Sequence, residues 1–140
     1  PPAVAGMHFF GIVQYVGPDR TADWTEFYSQ LMGFTPLPRQ VRFGIMPSGL
    51  LLESPCRTFF LQLIEPDESA RFAAMDEHLQ RVGLGTPDVT AAVASLEKRG
   101  VEFLATDRVH SSERGALTKP LLGGMMFGVV KSTPPGGGER

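Results

Sequence analysis

The chain has 140 residues, 42% of them apolar, a formal net charge of −2 and one cysteine. This is the length and composition of a single globular domain with a real core. Scattered Lys and Arg leave no basic footprint for nucleic acid, lone Cys56 excludes an internal disulfide framework, and no run of about 18 apolar residues suits a membrane helix.

The opening PPAVAGM and the closing STPPGGGER read as linker. Residues 1–6 are therefore expected to be a linker-like N-terminus and 133–140 a flexible tail, with the domain between them a neighbour of further domains in a longer chain. No charged segment precedes an apolar stretch as in a secretory leader, and the expected location is the cytoplasm.

From Met7 to Val16 the residues are nearly all apolar or aromatic, as in a buried strand. In DRTADWTEFYSQLMG (19–33), Trp24, Phe27, Tyr28 and Leu31 fall on one helical face, so this stripe is expected to be core. Asp19 or Thr21 can cap the helix, and Gly33 suits its C′ position. VRFGIM (41–46), GLLLES (49–54) and TFFLQLIEP (58–66) read as three strands, and DESARFAAM (67–75) as a short helix.

The pattern then restarts. LQRVGLG (79–85) reads as a strand and TPDVTAAVASLEKRG (86–100) as a helix, with Thr86 as cap, Pro87 at N1, Gly100 at C′ and a stripe of Val89, Val93 and Leu96. VEFLATD (101–107), GALTKPL (115–121) and GGMMFGVVKS (123–132) supply three further strands. The order predicts a duplicated βαβββ unit, about 7–66 and 78–132, within one α+β domain spanning 7–132. Two of its strands carry a glycine in mid-run, Gly11 and Gly128, although glycine weakens a strand.

The segments WTEFYSQLMGF (24–34), SPC (54–56) with LQLIEP (61–66), and LEKRGVEFL (96–104) carry a resemblance to the vicinal oxygen chelate superfamily of glyoxalases, bleomycin-resistance proteins and extradiol dioxygenases. Within it the chain is most similar to the catalytic half of 4-hydroxyphenylpyruvate dioxygenase. The resemblance implies two facing curved sheets around a cleft, with helices outside, and a dimer as a common assembly. It also implies an Fe(II) site of two His and one Glu. Counting from the Trp24 motif sets the first ligand position at Gly11, the second at Arg81 after Gln80, and the third at Gly128.

Glycine offers no ligand atom, and a guanidinium stays protonated and repels a cation. No cofactor is therefore expected, the alternative being Fe(II) or another divalent metal held by other residues. Gln62 matches a position that supplies an oxygen ligand in glyoxalase-type relatives. His8 and His78 are the fallback ligands, but each precedes a vacated position by three residues, and strand alternation is expected to turn it to the opposite face. Arg81 reads equally as a cleft cation for a carboxylate or as a structural ion-pair member with Glu77, Asp88 or Glu102.

Cys56 reads as packing rather than a nucleophile, and His110, Ser111, Ser112 and Glu113 as a solvated loop. The expected function is a metal-free small-molecule domain for an anionic or aromatic ligand, its cleft lined by Arg81, Gln62, Gly11, Gly128, Met126 and Phe60. A structural or regulatory half of a larger enzyme, and a dioxygenase- or glyoxalase-like metalloenzyme with other ligands, are the alternatives. Neither nucleic acid nor membrane is an expected partner.

Overall fold

A computed structural model describes residues 6–39, 49–65, 77–104, 115–121 and 124–133. The elements are β1 (His8–Tyr15), α1 (Thr21–Glu26) continuing into a π-helical turn (Phe27–Leu31), β2 (Thr35–Pro36), β3 (Leu50–Glu53), β4 (Phe60–Ile64), β5 (His78–Thr86), α2 (Val89–Lys98), β6 (Ala116–Leu117) and β7 (Met126–Lys131). They form an α+β fold with a mixed sheet in the order β2-β3-β4-β1-β5-β7-β6. The predicted strand at 41–46, the short helix at 67–75 and the loop at 110–113 lie outside the described residues.

Contacts divide these residues into two compact units, one of residues 11–39, 49–65 and 77–80, the other of residues 6–10 and from Arg81 onward. In the first unit β1 runs parallel to β4, with Gly11 opposite Phe60 and Val13 opposite Gln62; β3 pairs antiparallel with β4, and β2 with β3. In the second β5 runs parallel to β7, β6 pairs antiparallel with β7, and Phe103 bridges Thr118. The same ladder is thus built twice, as the repeated pattern predicts.

The first unit's core is Val16, Leu50, Leu52, Leu61 and Leu63, with Ile12, Trp24, Tyr28 and Phe34 packed against it. The predicted helical stripe holds only in part. Trp24 and Tyr28 pack inward, whereas Phe27 and Leu31 are 41% and 73% exposed. The cause is the π-helical turn, whose wider repeat moves the later residues off the face that 3.6-residue periodicity assigns them.

The start of α1 has no local side-chain cap. Two distant carboxylates serve instead. Glu65 accepts hydrogen bonds from the Asp19 amide (3.0 Å) and the Thr21 hydroxyl (2.6 Å). Glu77 accepts from the Gly17 amide (2.9 Å), Arg20 Nε (3.0 Å) and Trp24 Nε1 (2.9 Å). Negative groups at a helix start satisfy its free amides.

In the second unit α2 begins two residues later than predicted. Its N-cap is Asp88, whose Oδ1 accepts from the Ala91 amide at 3.0 Å, while Thr86 accepts from the Asp88 amide. Gly100 takes the left-handed conformation expected at C′ (φ +92°). Val89 and Ala92 bury against Val129 of β7, with Met7, Val93, Leu96 and Phe103 around them. This settles which way each strand residue faces. Val129 points at α2, so its neighbour Gly128 lies on the face away from the helix.

Candidate functional site

The unbroken register from Arg81↔Met126 to Thr86↔Lys131 places Gly83 opposite Gly128 and Leu84 opposite Val129. Since Val129 packs on α2, the side chains of Arg81 and Met126, with the bare positions Gly83, Gly85 and Gly128, share the opposite, helix-free face. Arg81 is only 7% exposed. Its stem lies along Gly128, where an added Cβ would stand 3.8 Å from Arg81 Cδ. Two of the three positions singled out in the sequence therefore come together in one unit.

His8 occupies the same face. A Cβ built at Gly85 would fall 2.6 Å from His8 Nε2 and 2.7 Å from Cε1, so the imidazole fills the space that Gly85 leaves open. Met7, one residue earlier, packs against the α2 cluster, and alternation turns His8 away from it. This corrects the expected orientation of His8, on the helix side or in water. Its Nδ1 is buried without a hydrogen-bond partner. His78, by contrast, is exposed, its ring 5.6 Å from that of Tyr15.

Gly11 has a different explanation from Gly128. A Cβ there would overlap the Phe60 carbonyl oxygen and stand 2.9 Å from its carbonyl carbon. The two strands approach so closely that no side chain fits unless β4 moves, so packing accounts for this glycine. Gln62 is half-buried on β4, between Leu61 and Leu63 of the core, and alternation turns it away from α1. Phe60 is half-buried on the same strand.

The three carboxylates considered as partners for Arg81 are engaged elsewhere. Glu77 binds Arg20, Asp88 caps α2, and Glu102 pairs with Lys119 at 3.1 Å. Arg81 has its own contacts within the protein. Hydrogen bonds from Arg20, and then from the Gly17 amide, lower the Glu77 carboxyl from 4.5 to about 2.

A feature the sequence reading missed is the setting of Cys56. It is exposed, not packed. Ser54, itself 2% exposed, accepts from the amides of Thr58 and Phe59, which leaves its hydroxyl hydrogen to donate toward Cys56 Sγ at 3.4 Å. Thr58 Oγ1 lies 3.0 Å from the same sulfur. The Ser54 and Thr58 hydrogen bonds lower the thiol from 9.0 to about 7. A turn with hydroxyls on both sides of a cysteine was the available signal.

Residues 11–117 match the family model of the Glyoxalase/Bleomycin resistance protein/Dioxygenase superfamily. The chain belongs to this superfamily. Among solved structures, this superfamily member is similar to the methylmalonyl-CoA epimerase of Mycobacterium tuberculosis, at 20% identity and TM-score 0.71, over 96% of this chain and 94% of that one. A Streptomyces coelicolor methylmalonyl-CoA epimerase variant in complex with 2-nitronate-propionyl-CoA gives 23% identity and TM-score 0.63, over 89% and 96%. A hypothetical protein of Bacillus halodurans gives 14% and 0.66, over 91% and 95%. These likenesses establish the fold, and fold alone does not carry an activity. Among the described residues, no three His, Cys, Asp or Glu side chains come together as a metal-binding group.

Proposed function

We propose that this superfamily member binds a small carboxylate through Arg81, in the place where relatives of the 4-hydroxyphenylpyruvate dioxygenase type direct a metal ligand. The observation that carries this is the position of Arg81, a 7%-exposed cation on the helix-free face of its sheet with its stem along Gly128. A guanidinium has five donors in a planar fork and holds a carboxylate bidentately without a metal. The donor set on this face does not fit a divalent cation. His8 offers one imidazole, Gly83, Gly85 and Gly128 offer no side-chain atom, and the Arg81 charge repels a cation. No dioxygenase or epimerase step is therefore assigned to these residues.

A second reading is favoured by one fact, that Arg81 already has contacts within the protein. On that reading its charge completes an internal network, and the unit serves as a structural or regulatory half of a larger enzyme.

Calorimetric titration with benzoate separates the two. Arg81→Met keeps the length of the side chain and removes the charge. Ligand binding predicts a loss of about 10- to 100-fold in benzoate affinity with the fold retained, the worth of a charged hydrogen-bond pair of about 1.5–3 kcal/mol. Unchanged affinity together with a lowered melting temperature would support the structural role and overturn the proposal.

A further inference from the structure

The helix-free face of the second unit has an uneven surface that bears on what Arg81 would hold. Along β5, positions 81, 83 and 85 point the same way. Gly85 is buried under the His8 ring, and Gly128, opposite Gly83, is buried beside the Arg81 stem. Gly83, between them, is only half-buried. The seats at 81 and 85 are about 13 Å apart along the strand, at about 3.3 Å per residue. A bare backbone position thus lies between a guanidinium and an imidazole, with Met126 beside Arg81 in the register.

We infer that the notch over Gly83 takes a flat, conjugated carboxylate, its acid group on Arg81 and its plane against the His8 ring. This rests on the carboxylate reading and adds the shape of the ligand. Three observations favour a flat group. Gly83 lets a ligand come down to the backbone, as a residue with a Cβ would not. Imidazole and guanidinium are both planar and stack on π systems, whereas a puckered aliphatic ring offers them no matching face. Met126 adds a polarizable thioether suited to the edge of an aromatic ring. His8 has room to act this way because Gly85 gives its ring a seat, and no hydrogen bond at Nδ1 commits the ring to another role.

The test compares benzoate with cyclohexanecarboxylate, which keeps the charge and the six-carbon ring and removes planarity. Calorimetric titration of the wild-type chain should show benzoate binding at least 10-fold more tightly. Met126 εCH3 should move upfield in the NMR spectrum with benzoate and stay in place with cyclohexanecarboxylate. Gly83→Val should abolish the benzoate preference by filling the notch. His8→Ala should reduce it while leaving the Arg81-dependent binding of cyclohexanecarboxylate in place. If both acids bind equally and both depend on Arg81, the shape inference is overturned and the carboxylate reading stands. If benzoate binds independently of Arg81, the carboxylate reading itself fails. Should Gly83→Val not fold, the wild-type selectivity and the Met126 shift decide the matter, and absence of both overturns the inference.

Discussion

The two units repeat one ladder, yet each uses its strand glycine for a different purpose. In the first, Gly11 lies where β1 and β4 come so close that a Cβ would overlap the Phe60 carbonyl. In the second, a Cβ at Gly128 would meet only Arg81 Cδ at ordinary contact distance. The helices differ in the same sense. α2 is capped by its own Asp88, while the start of α1 depends on Glu65 and Glu77, more than forty residues away in sequence. The first unit is fastened by long-range contacts that tolerate little. The second is fastened locally and leaves part of its sheet face free for another use.

The sharpest way to break this contrast is alanine at the two glycines. Gly11→Ala should cost about 3 kcal/mol or more, because backbone rather than a flexible side-chain end must give way. Denaturant unfolding measures this, and a loss below 1 kcal/mol would remove the distinction. A histidine at Gly11, the change a vacated-ligand reading invites, should be worse still.

Glu77→Gln comes next, at about 1–3 kcal/mol near neutral pH, since it removes a charged acceptor from three donors. The sign of its pH dependence follows from the lowered carboxyl. Between 4.5 and about 2 the unfolded chain takes up the proton more readily than the folded one, so the stabilisation is complete above 4.5 and is lost as pH falls toward 2. Melting temperatures of wild type and variant should therefore converge on acidification. A gap that stays constant to pH 2 would show that Glu77 acts by packing alone.

The smallest effect belongs to Gly128→Ala. Relief of glycine's backbone entropy should leave stability unchanged or raise it by up to about 1 kcal/mol. A loss larger than that would mean the Arg81 stem cannot yield, and that both units are equally intolerant.

Much of this architecture is legible in the residues. The restart at β5, the left-handed glycines after each helix and the inward pair Trp24 and Tyr28 all follow from local chemistry. What local pattern could not supply was geometry between distant segments. Nothing near Gly11 in the sequence announces the Phe60 carbonyl, and alternation counted from Gly11 placed His8 on the wrong side. Phe27 and Leu31 were misassigned because one π-helical turn breaks a periodicity that the sequence otherwise keeps. Met126, Gly128 and Arg81 were read together because a single uninterrupted register joins their strands.

The turn around Cys56 has a practical side. It is the chain's one cysteine, it is exposed, and with its thiol lowered to about 7 roughly half is thiolate at neutral pH. Maleimide or iodoacetamide reagents should therefore attach a fluorophore or spin label at a single known point, under mild conditions and without prior mutagenesis. That point lies on the loop leading into β4, the strand whose carbonyl forbids a side chain at Gly11, so a probe there would report directly on any displacement of that strand.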